Sequence, residues 1–197
     1  MNLPNKLTLV RMAIVPVIIA LYLIPFDSLG IRISSYEILG SQINTVSLLV
    51  ALLFAVASIT DFVDGKIARS RNLVTTFGKF MDPIADKLLV NSLLILLSFD
   101  HSIPVLCTLI MISRDLVVDA IRLLAVQSNV VLAASQLGKA KTMTQMIAIV
   151  CVLLDNFPFA FLNIPIDLFL IIAATVISFV SGLDYFIKNK HLIFESI

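Results

Sequence analysis

The chain has few charged residues and only two cysteines. Charged residues make up 14% of its 197 residues, against about 25% in soluble domains. Apolar residues make up 59% and the mean hydropathy is +1.05, a surplus too large for the core of one soluble domain of this length. These figures exclude a soluble globule, a disordered chain and a collagen-like chain, and they predict a membrane protein.

Cysteine spacing and net charge exclude further classes. Cys107 and Cys151 lie in apolar stretches without the spacing of a metal site or a disulfide framework, so we interpret them as small core residues. A net charge of +1 gives no bulk attraction to nucleic acid. The chain shows no internal repeat, and its apolar stretches are joined by short connections. We therefore expect residues 1–197 to form a single membrane domain.

Six apolar stretches approach the roughly 20 residues that a spanning helix needs. They are residues 7–24, 43–62, 80–99, 103–126, 142–157 and 166–187. With the N-terminus in the cytoplasm, every lysine and arginine except Arg32 falls on the cytoplasmic side, as the positive-inside rule requires. The sequence predicts an all-α, polytopic membrane protein with six transmembrane helices and both termini in the cytoplasm.

Four aspartates are concentrated at the cytoplasmic ends of the second and third stretches. Asp61 and Asp64 are three residues apart, and Asp82 and Asp86 are four apart, so each pair lies on one face of a helix. A short link joins the two helices and brings both pairs to the same side of the membrane. Because four carboxylates would repel one another at low dielectric, we expect Mg²⁺ or Mn²⁺ to bind between them. Two such metals commonly catalyse displacement at phosphorus, because they stabilise both the attacking and the leaving oxygen.

Small and basic residues accompany these aspartates. Gly65 and Gly78 would let a phosphate or nucleotide approach the backbone closely. Arg69 offers several donors to phosphate oxygens, and Ala68 would keep the same face free of bulk.

Each of these residues also has a purely structural interpretation. Asp82 followed by Pro83 is typical of a helix N-cap with proline at the first helical position. Asp61 and Asp64 could be solvated partners of nearby basic residues, and the glycines could serve turns. The combination, in this order, favours a functional site.

The segment from Asp61 to Asp86 resembles the signature of the CDP-alcohol phosphotransferase family. That signature is D-x-x-D-G-x-x-A-R, eight residues, then G-x-x-x-D-x-x-x-D, and every fixed position is present. The resemblance implies a six-helix membrane enzyme, usually a homodimer, that displaces CMP from a CDP-linked donor at a two-metal site open to the cytoplasm. It implies that Asp61, Asp64 and Asp82 ligate metal, and that Asp86 helps to hold the second metal and takes the acceptor hydroxyl's proton. The nucleotide-facing set would be Gly65, Ala68, Arg69 and Gly78.

Basic residues outside the signature indicate an anionic acceptor. On the fourth stretch, Asp115, Asp119 and Arg122 share a helix face with Arg114 beside them. They either form an internal salt-bridge ladder or direct the arginines to a ligand.

The start of the fifth stretch offers a second basic group. Lys139, Lys141 and Thr142 accompany the free backbone N–H groups of a helix start, which can bind an anion. Alternatively, the two lysines follow the positive-inside bias and contact lipid head groups.

Two further segments resemble the bacterial phosphatidylglycerophosphate synthases within the family. They are the run from Gly138 to Thr142 and the opening from Asn2 to Arg11. This resemblance implies CDP-diacylglycerol and glycerol 3-phosphate as substrates, in a bacterial-type cell membrane with the active site on the cytoplasmic side. It places Asn5 and Thr8 beside the nucleotide; the structural alternative is that Pro4 and Asn5 form an ordinary helix start. The acceptor phosphate would be bound by Arg114, Arg122, Lys139 and Lys141.

Other functions are consistent with parts of the pattern. Sister enzymes of the family that use inositol phosphate, serine or phosphatidylglycerol share the aspartate signature. A cation transporter also places acids in its membrane helices, but its site usually lies near the bilayer midplane between repeated halves. A purely structural protein leaves the acid cluster unexplained, because charges in membrane helices cost about 2.5–3.5 kcal/mol each.

Overall fold

The computed structural model describes residues 2–70, 75–128, 130, 132 and 135–194, without the side chains of residues 3–4, 27, 61–70, 76, 79 and 191–194. Six α-helices form most of the described chain, and short elements connect them. The helices are α1 Leu3–Leu23, α2 Thr45–Ser70, α3 Thr76–Phe99, α4 Val105–Gln127, α5 Gln136–Leu153 and α6 Ile166–Phe194. The strands are β1 Ser35–Ile38 and β2 Ser41–Asn44, and 3-10 turns cover Phe26–Leu29 and Phe159–Leu162.

The six helices coincide with the six apolar stretches, and they differ from the predicted stretches at their ends. Helix α2 continues past residue 62 to Ser70, and α5 begins at Gln136 where the apolar stretch begins at residue 142. The cause at α5 is Ser135, whose hydroxyl accepts a hydrogen bond from the Gly138 N–H and caps the helix. Hydropathy marks only the apolar part of such a helix and misses its polar first turns.

A small β-hairpin between α1 and α2 departs from the predicted all-α class. Its strands are antiparallel, with Ser35 opposite Asn44. Leu39 and Gly40 turn the chain with φ angles of 51° and 84°, as a two-residue hairpin loop requires. From the sequence, residues 27–41 are predicted only as a connection, because four-residue strands show too little alternation to be recognised.

The helices pack in two groups that meet at a common core. Helix α1 packs on α2 and α3, whereas α6 packs on α4 and α5. Fully buried side chains, one from each of the six helices, form the core between the groups. They are Ile18, Phe54, Leu93, Met111, Ile149 and Ile171.

The outer surface of the bundle is apolar. Leu52, Ile95, Leu116 and Ile172 are among the many large hydrophobic side chains exposed there, which is the pattern of a protein surrounded by lipid. In the described part of the chain, the segments Asn5–Leu23 and Ile166–Lys190 are long and apolar enough to cross a membrane. The apolar helices agree with a membrane protein, and the number of spans and the side of each terminus stay predictions.

Candidate active site

The helical backbone places the four aspartates at the adjoining ends of α2 and α3. Asp61 and Asp64 belong to the last turns of α2, and Asp82 and Asp86 are one turn apart near the start of α3. The structure does not describe the side chains of residues 61–70. The predicted site residues Asp61, Asp64, Gly65, Ala68 and Arg69 all belong to this segment. Asp82 and Asp86 are partly buried.

Asp82 is held by a residue of α1. The hydroxyl of Thr8 donates a hydrogen bond of 2.5 Å to Oδ1 of Asp82. Asp82 lies inside α3, and the N-cap of this helix is Thr75, whose hydroxyl accepts from the Gly78 N–H. The N-cap interpretation of Asp82 is therefore wrong, because α3 already begins at Thr76 and Thr75 caps it.

Asn5 and Gly78 meet beside the same aspartate. The hydroxyl of Thr75 donates a hydrogen bond of 2.8 Å to Oδ1 of Asn5. A Cβ atom at Gly78 would lie 3.3 Å from that oxygen and 3.5 Å from Oδ2 of Asp82. Three residues predicted to face the nucleotide, Asn5, Thr8 and Gly78, are thus brought together next to Asp82. Thr75 was not among the predicted site residues; the signal that could have found it is a threonine directly before a helical segment, which is a preferred N-cap.

The described carboxylates of α3 suit a hard divalent cation. No group of three or more histidine, cysteine or acidic side chains that could hold a metal occurs among the side chains that the structure describes. Two of the four predicted ligands are outside this set. Asp82 and Asp86 present oxygen donors one helical turn apart, and carboxylate oxygen is the ligand type that Mg²⁺ and Mn²⁺ prefer. The donor chemistry fits these metals.

Asp86 also lines a cavity of about 500 Å³ between α3, α4, α5 and α6. Among the described residues, five basic and three acidic side chains line it, an excess of two positive charges. These side chains are Asp86, Lys87, Arg114, Asp115, Asp119, Arg122, Lys139 and Lys141. All four residues predicted to bind the acceptor phosphate thus share one cavity with the predicted general base.

A buried charge cluster forms one wall of this cavity. Nζ of Lys141 lies 2.9 and 2.7 Å from the two oxygens of Asp115, and NH1 of Arg114 lies 3.0 Å from Oδ1 of the same carboxylate. The three side chains are at most 12% exposed. Asp86 also interacts electrostatically with Lys141. One carboxylate therefore holds two of the four predicted phosphate ligands in place.

The other charges of α4 pair with neighbouring helices. Asp119 forms an ion pair with Lys87 of α3. Nε of Arg122 lies 3.4 Å from the Tyr185 hydroxyl, and its guanidinium lies 5.7 Å from the centre of that ring. The predicted salt-bridge ladder along α4 is therefore mostly not formed, because Asp119 and Arg122 contact residues of other helices. Arg122 also lines the cavity.

Small residues of α5 and α6 surround Arg114. NH2 of Arg114 donates a hydrogen bond of 2.7 Å to the Ser181 hydroxyl. A Cβ atom at Gly182 would lie only 2.8 Å from Cγ of Arg114, and one at Gly138 would lie 3.6 Å from NH2. Ser181, Gly182 and Tyr185 could not be predicted from the sequence, because no pattern within α6 indicates which residues face α4.

The start of α5 differs in part from the predicted anion site. The Gly138 N–H is already bonded to Ser135, and the Thr142 hydroxyl donates to the Gly138 carbonyl at 3.1 Å. Lys139 is exposed and lines the cavity, with no ion pair to any residue in the described ranges. Lys139 is therefore the available cation here, and Lys141 is engaged with Asp115.

Comparison with known proteins identifies the family. A sequence model described as CDP-alcohol phosphatidyltransferase matches residues 1–181. The chain belongs to this family. The CDP-diacylglycerol–glycerol-3-phosphate 3-phosphatidyltransferase of Bacillus subtilis is 43% identical over 189 residues, 95% of each chain. Proteins of the same name from Rickettsia typhi and Mycoplasma pneumoniae are 38% identical over 187 residues and 39% identical over 166 residues. These alignments cover 94% and 81% of this chain, and 95% and 70% of those relatives.

Membership in the CDP-alcohol phosphatidyltransferase family confirms the resemblance given by the aspartate signature. It also decides between the enzyme and the cation-transporter hypotheses in favour of a transferase. Cys107 and Cys151 are buried and form no disulfide with each other, as predicted.

Proposed function

We propose that this protein transfers the phosphatidyl group of CDP-diacylglycerol to glycerol 3-phosphate, giving phosphatidylglycerophosphate and CMP. The names of its relatives support this assignment over 94–95% of the chain. The structural observation that carries it is the cavity in which Asp86 meets an excess of two positive charges. A phosphate monoester carries about −1.5 to −2 charges at neutral pH, so its charge matches that excess.

The donor binds at the ends of α2 and α3 in this proposal. Asp61, Asp64, Asp82 and Asp86 hold two Mg²⁺ or Mn²⁺ ions, which when bound stabilise charge on the pyrophosphate oxygens. The hydrogen bond from Thr8 orients Asp82 toward that role. The nucleotide lies against the small and polar residues predicted to face it, which are Asn5, Thr8, Gly65, Ala68, Arg69 and Gly78.

Asp86 acts as the general base because it belongs to both halves of the site. It is on the same helix face as Asp82, and it lines the basic cavity. A general base must lie within about 3 Å of the hydroxyl that it deprotonates. An acceptor seated in the cavity presents its hydroxyl to Asp86, which takes the proton as the oxygen attacks the phosphorus next to the diacylglycerol.

The four basic residues divide the work of binding the acceptor. Lys139 and Arg122 contact the phosphate directly, since Lys139 has no ion pair within the described chain and Arg122 lies against a neutral tyrosine. Arg114 and Lys141 keep the wall of the cavity positive while Asp115 fixes their positions.

We further propose that the enzyme is a homodimer in the bacterial cell membrane, with six spans and with the active site facing the cytoplasm. The exposed apolar side chains on the helices support insertion in lipid. The aspartates and the basic cavity lie where the positive-inside rule places the cytoplasm.

A panel of acceptor alcohols tests the function. Purified protein is mixed with CDP-diacylglycerol and Mn²⁺ or Mg²⁺, and CMP release is followed with glycerol 3-phosphate, inositol phosphate, serine and phosphatidylglycerol. Release only with glycerol 3-phosphate is the expected result. Turnover with another acceptor but not with glycerol 3-phosphate would reject the acceptor assignment, and the donor chemistry would stand.

A further inference from the structure

Gln145 is a buried polar residue in the wall of the acceptor cavity. It is 1% exposed and lies on α5, one helical turn beyond Lys141. No residue in the described part of the chain accepts a hydrogen bond from its Nε2. Leaving a buried amide donor without an acceptor costs free energy, and such groups are rare in native proteins. The position therefore suits a partner that enters the cavity.

The position of Gln145 along α5 indicates which part of the acceptor it meets. Lys139 and Gln145 line the same cavity and are separated by about 9 Å along the helix axis, at 1.5 Å per residue. In the predicted topology α5 begins at the cytoplasmic side. Gln145 is the deepest residue that α5 contributes to the cavity, so the phosphate-binding cations lie above it.

The chemistry of an amide suits a hydroxyl. A primary amide both donates and accepts hydrogen bonds, as does an alcohol, whereas a phosphate only accepts in its ionised form. In the proposed function, the basic residues bind the phosphate and Asp86 accepts the proton of the attacking hydroxyl. The middle hydroxyl of the three-carbon acceptor has no assigned partner among these groups.

We propose that Gln145 hydrogen-bonds the middle hydroxyl of glycerol 3-phosphate and selects for an acceptor that carries it. This inference rests on the proposed function. Gln145 is a positioning residue in this scheme, because the hydrogen bond fixes the carbon chain so that the terminal hydroxyl reaches Asp86.

A pair of acceptors tests the inference. Glycerol 3-phosphate is compared with 3-hydroxypropyl phosphate, which keeps the phosphate, the terminal hydroxyl and the chain length and lacks the middle hydroxyl. Wild-type enzyme should prefer glycerol 3-phosphate by about 10- to 100-fold in kcat/KM, because the analogue leaves the buried amide of Gln145 without a hydrogen-bond partner. The variant Gln145→Leu should lower this preference to about threefold or less, because no buried amide is then left unpaired by the analogue.

Controls separate specificity from folding. The ratio of the two kcat/KM values is independent of the amount of folded enzyme, so partial misfolding does not change it. Gln136→Leu makes the same exchange at an exposed position of α5 and should leave the ratio at the wild-type value. Lys139→Ala should lower kcat/KM for both acceptors by the same factor, because both carry the phosphate.

The outcomes distinguish the inference from the function on which it rests. A wild-type enzyme that uses the two acceptors equally well would overturn the inference, and so would a Gln145→Leu enzyme that keeps the full preference. A wild-type enzyme that releases CMP with neither acceptor would overturn the proposed function and the inference together.

Discussion

Gly182 of α6 lies so close to Arg114 of α4 that a Cβ atom on the glycine would stand 2.8 Å from Cγ of the arginine. The neighbouring Ser181 accepts a hydrogen bond from the guanidinium at 2.7 Å. The absence of a side chain at position 182 therefore allows Arg114 to reach Asp115 and the cavity, because α4 and α6 can pack closely here.

Replacing Gly182 by alanine should displace Arg114. We expect Gly182→Ala to raise the KM for glycerol 3-phosphate several-fold, with little change in the KM for CDP-diacylglycerol, and to destabilise the protein by about 1–3 kcal/mol through overpacking. Steady-state kinetics and thermal unfolding in detergent measure both effects. Val180→Ala, on an exposed position of the same helix, serves as the control. A wild-type KM for glycerol 3-phosphate in Gly182→Ala would show that the close packing of Gly182 does not position Arg114.

The Asp115 carboxylate should be a stability element as well as part of the cavity wall. Asp115→Asn leaves the buried Lys141 and Arg114 charges without their shared partner, and breaking a buried pair costs about 3–5 kcal/mol. We expect a large drop in Tm. The double variant Asp115→Leu with Lys141→Met removes both charges and should recover part of that loss. Equal Tm values for wild type and Asp115→Asn would contradict the role assigned to this cluster.

Thr8 should act on the donor side through Asp82. Thr8→Val removes the hydroxyl that bonds Asp82, and loss of a group that orients a metal ligand typically costs 10- to 100-fold in metal affinity or activity. We expect a Mn²⁺ activation constant at least about tenfold higher, with the acceptor KM unchanged. Thr8→Ser keeps the hydroxyl and should restore the wild-type constant. Similar constants for Thr8→Val and Thr8→Ser would show that this hydrogen bond is dispensable.

Lys139 should bind the acceptor phosphate. Lys139→Ala removes a cation that has no ion pair in the described structure, and hydrogen bonds to charged groups contribute about 1.5–3 kcal/mol. We expect the KM for glycerol 3-phosphate to rise about tenfold with a smaller effect on kcat, which initial-rate kinetics at fixed salt will measure. Lys190→Ala changes an exposed lysine of α6 outside the cavity and should be neutral. A defect confined to the KM of CDP-diacylglycerol would refute this assignment.

Much of the fold could be predicted because its signals are local. The apolar stretches locate all six helices, and the 61–86 signature locates the aspartates, since both depend on residues close together in sequence. Hydropathy predicts that α2 ends at residue 62 and that α5 begins at residue 142, whereas polar residues extend these helices to Ser70 and back to Gln136. Caps such as Thr75 and Ser135 decide where α3 and α5 begin, and a hydropathy pattern does not detect them.

The partners of each charge could not be predicted, because they lie on different helices. Lys141 and Arg114 were expected to bind a ligand, and both contact Asp115. Asp119 pairs with Lys87 of α3, a residue that the sequence analysis counted only for topology. Nothing in the sequence indicates a role for Gln145, which is a polar residue in a mostly apolar part of α5. Contacts of this kind depend on how α3, α4, α5 and α6 are rotated about their axes, which a single sequence does not specify.

Asp86 joins the donor and acceptor halves of the site, so its replacement tests the account most directly. Purified Asp86→Asn is compared with wild type for CMP release and for CDP-diacylglycerol binding. Asp119→Asn, the same exchange at another carboxylate of the cavity, is the control and should stay within a few-fold of wild type because its ion pair is partly exposed. We predict that Asp86→Asn loses at least about 100-fold in kcat while it still binds the donor. Near-normal turnover by Asp86→Asn would contradict the role of Asp86 as the general base.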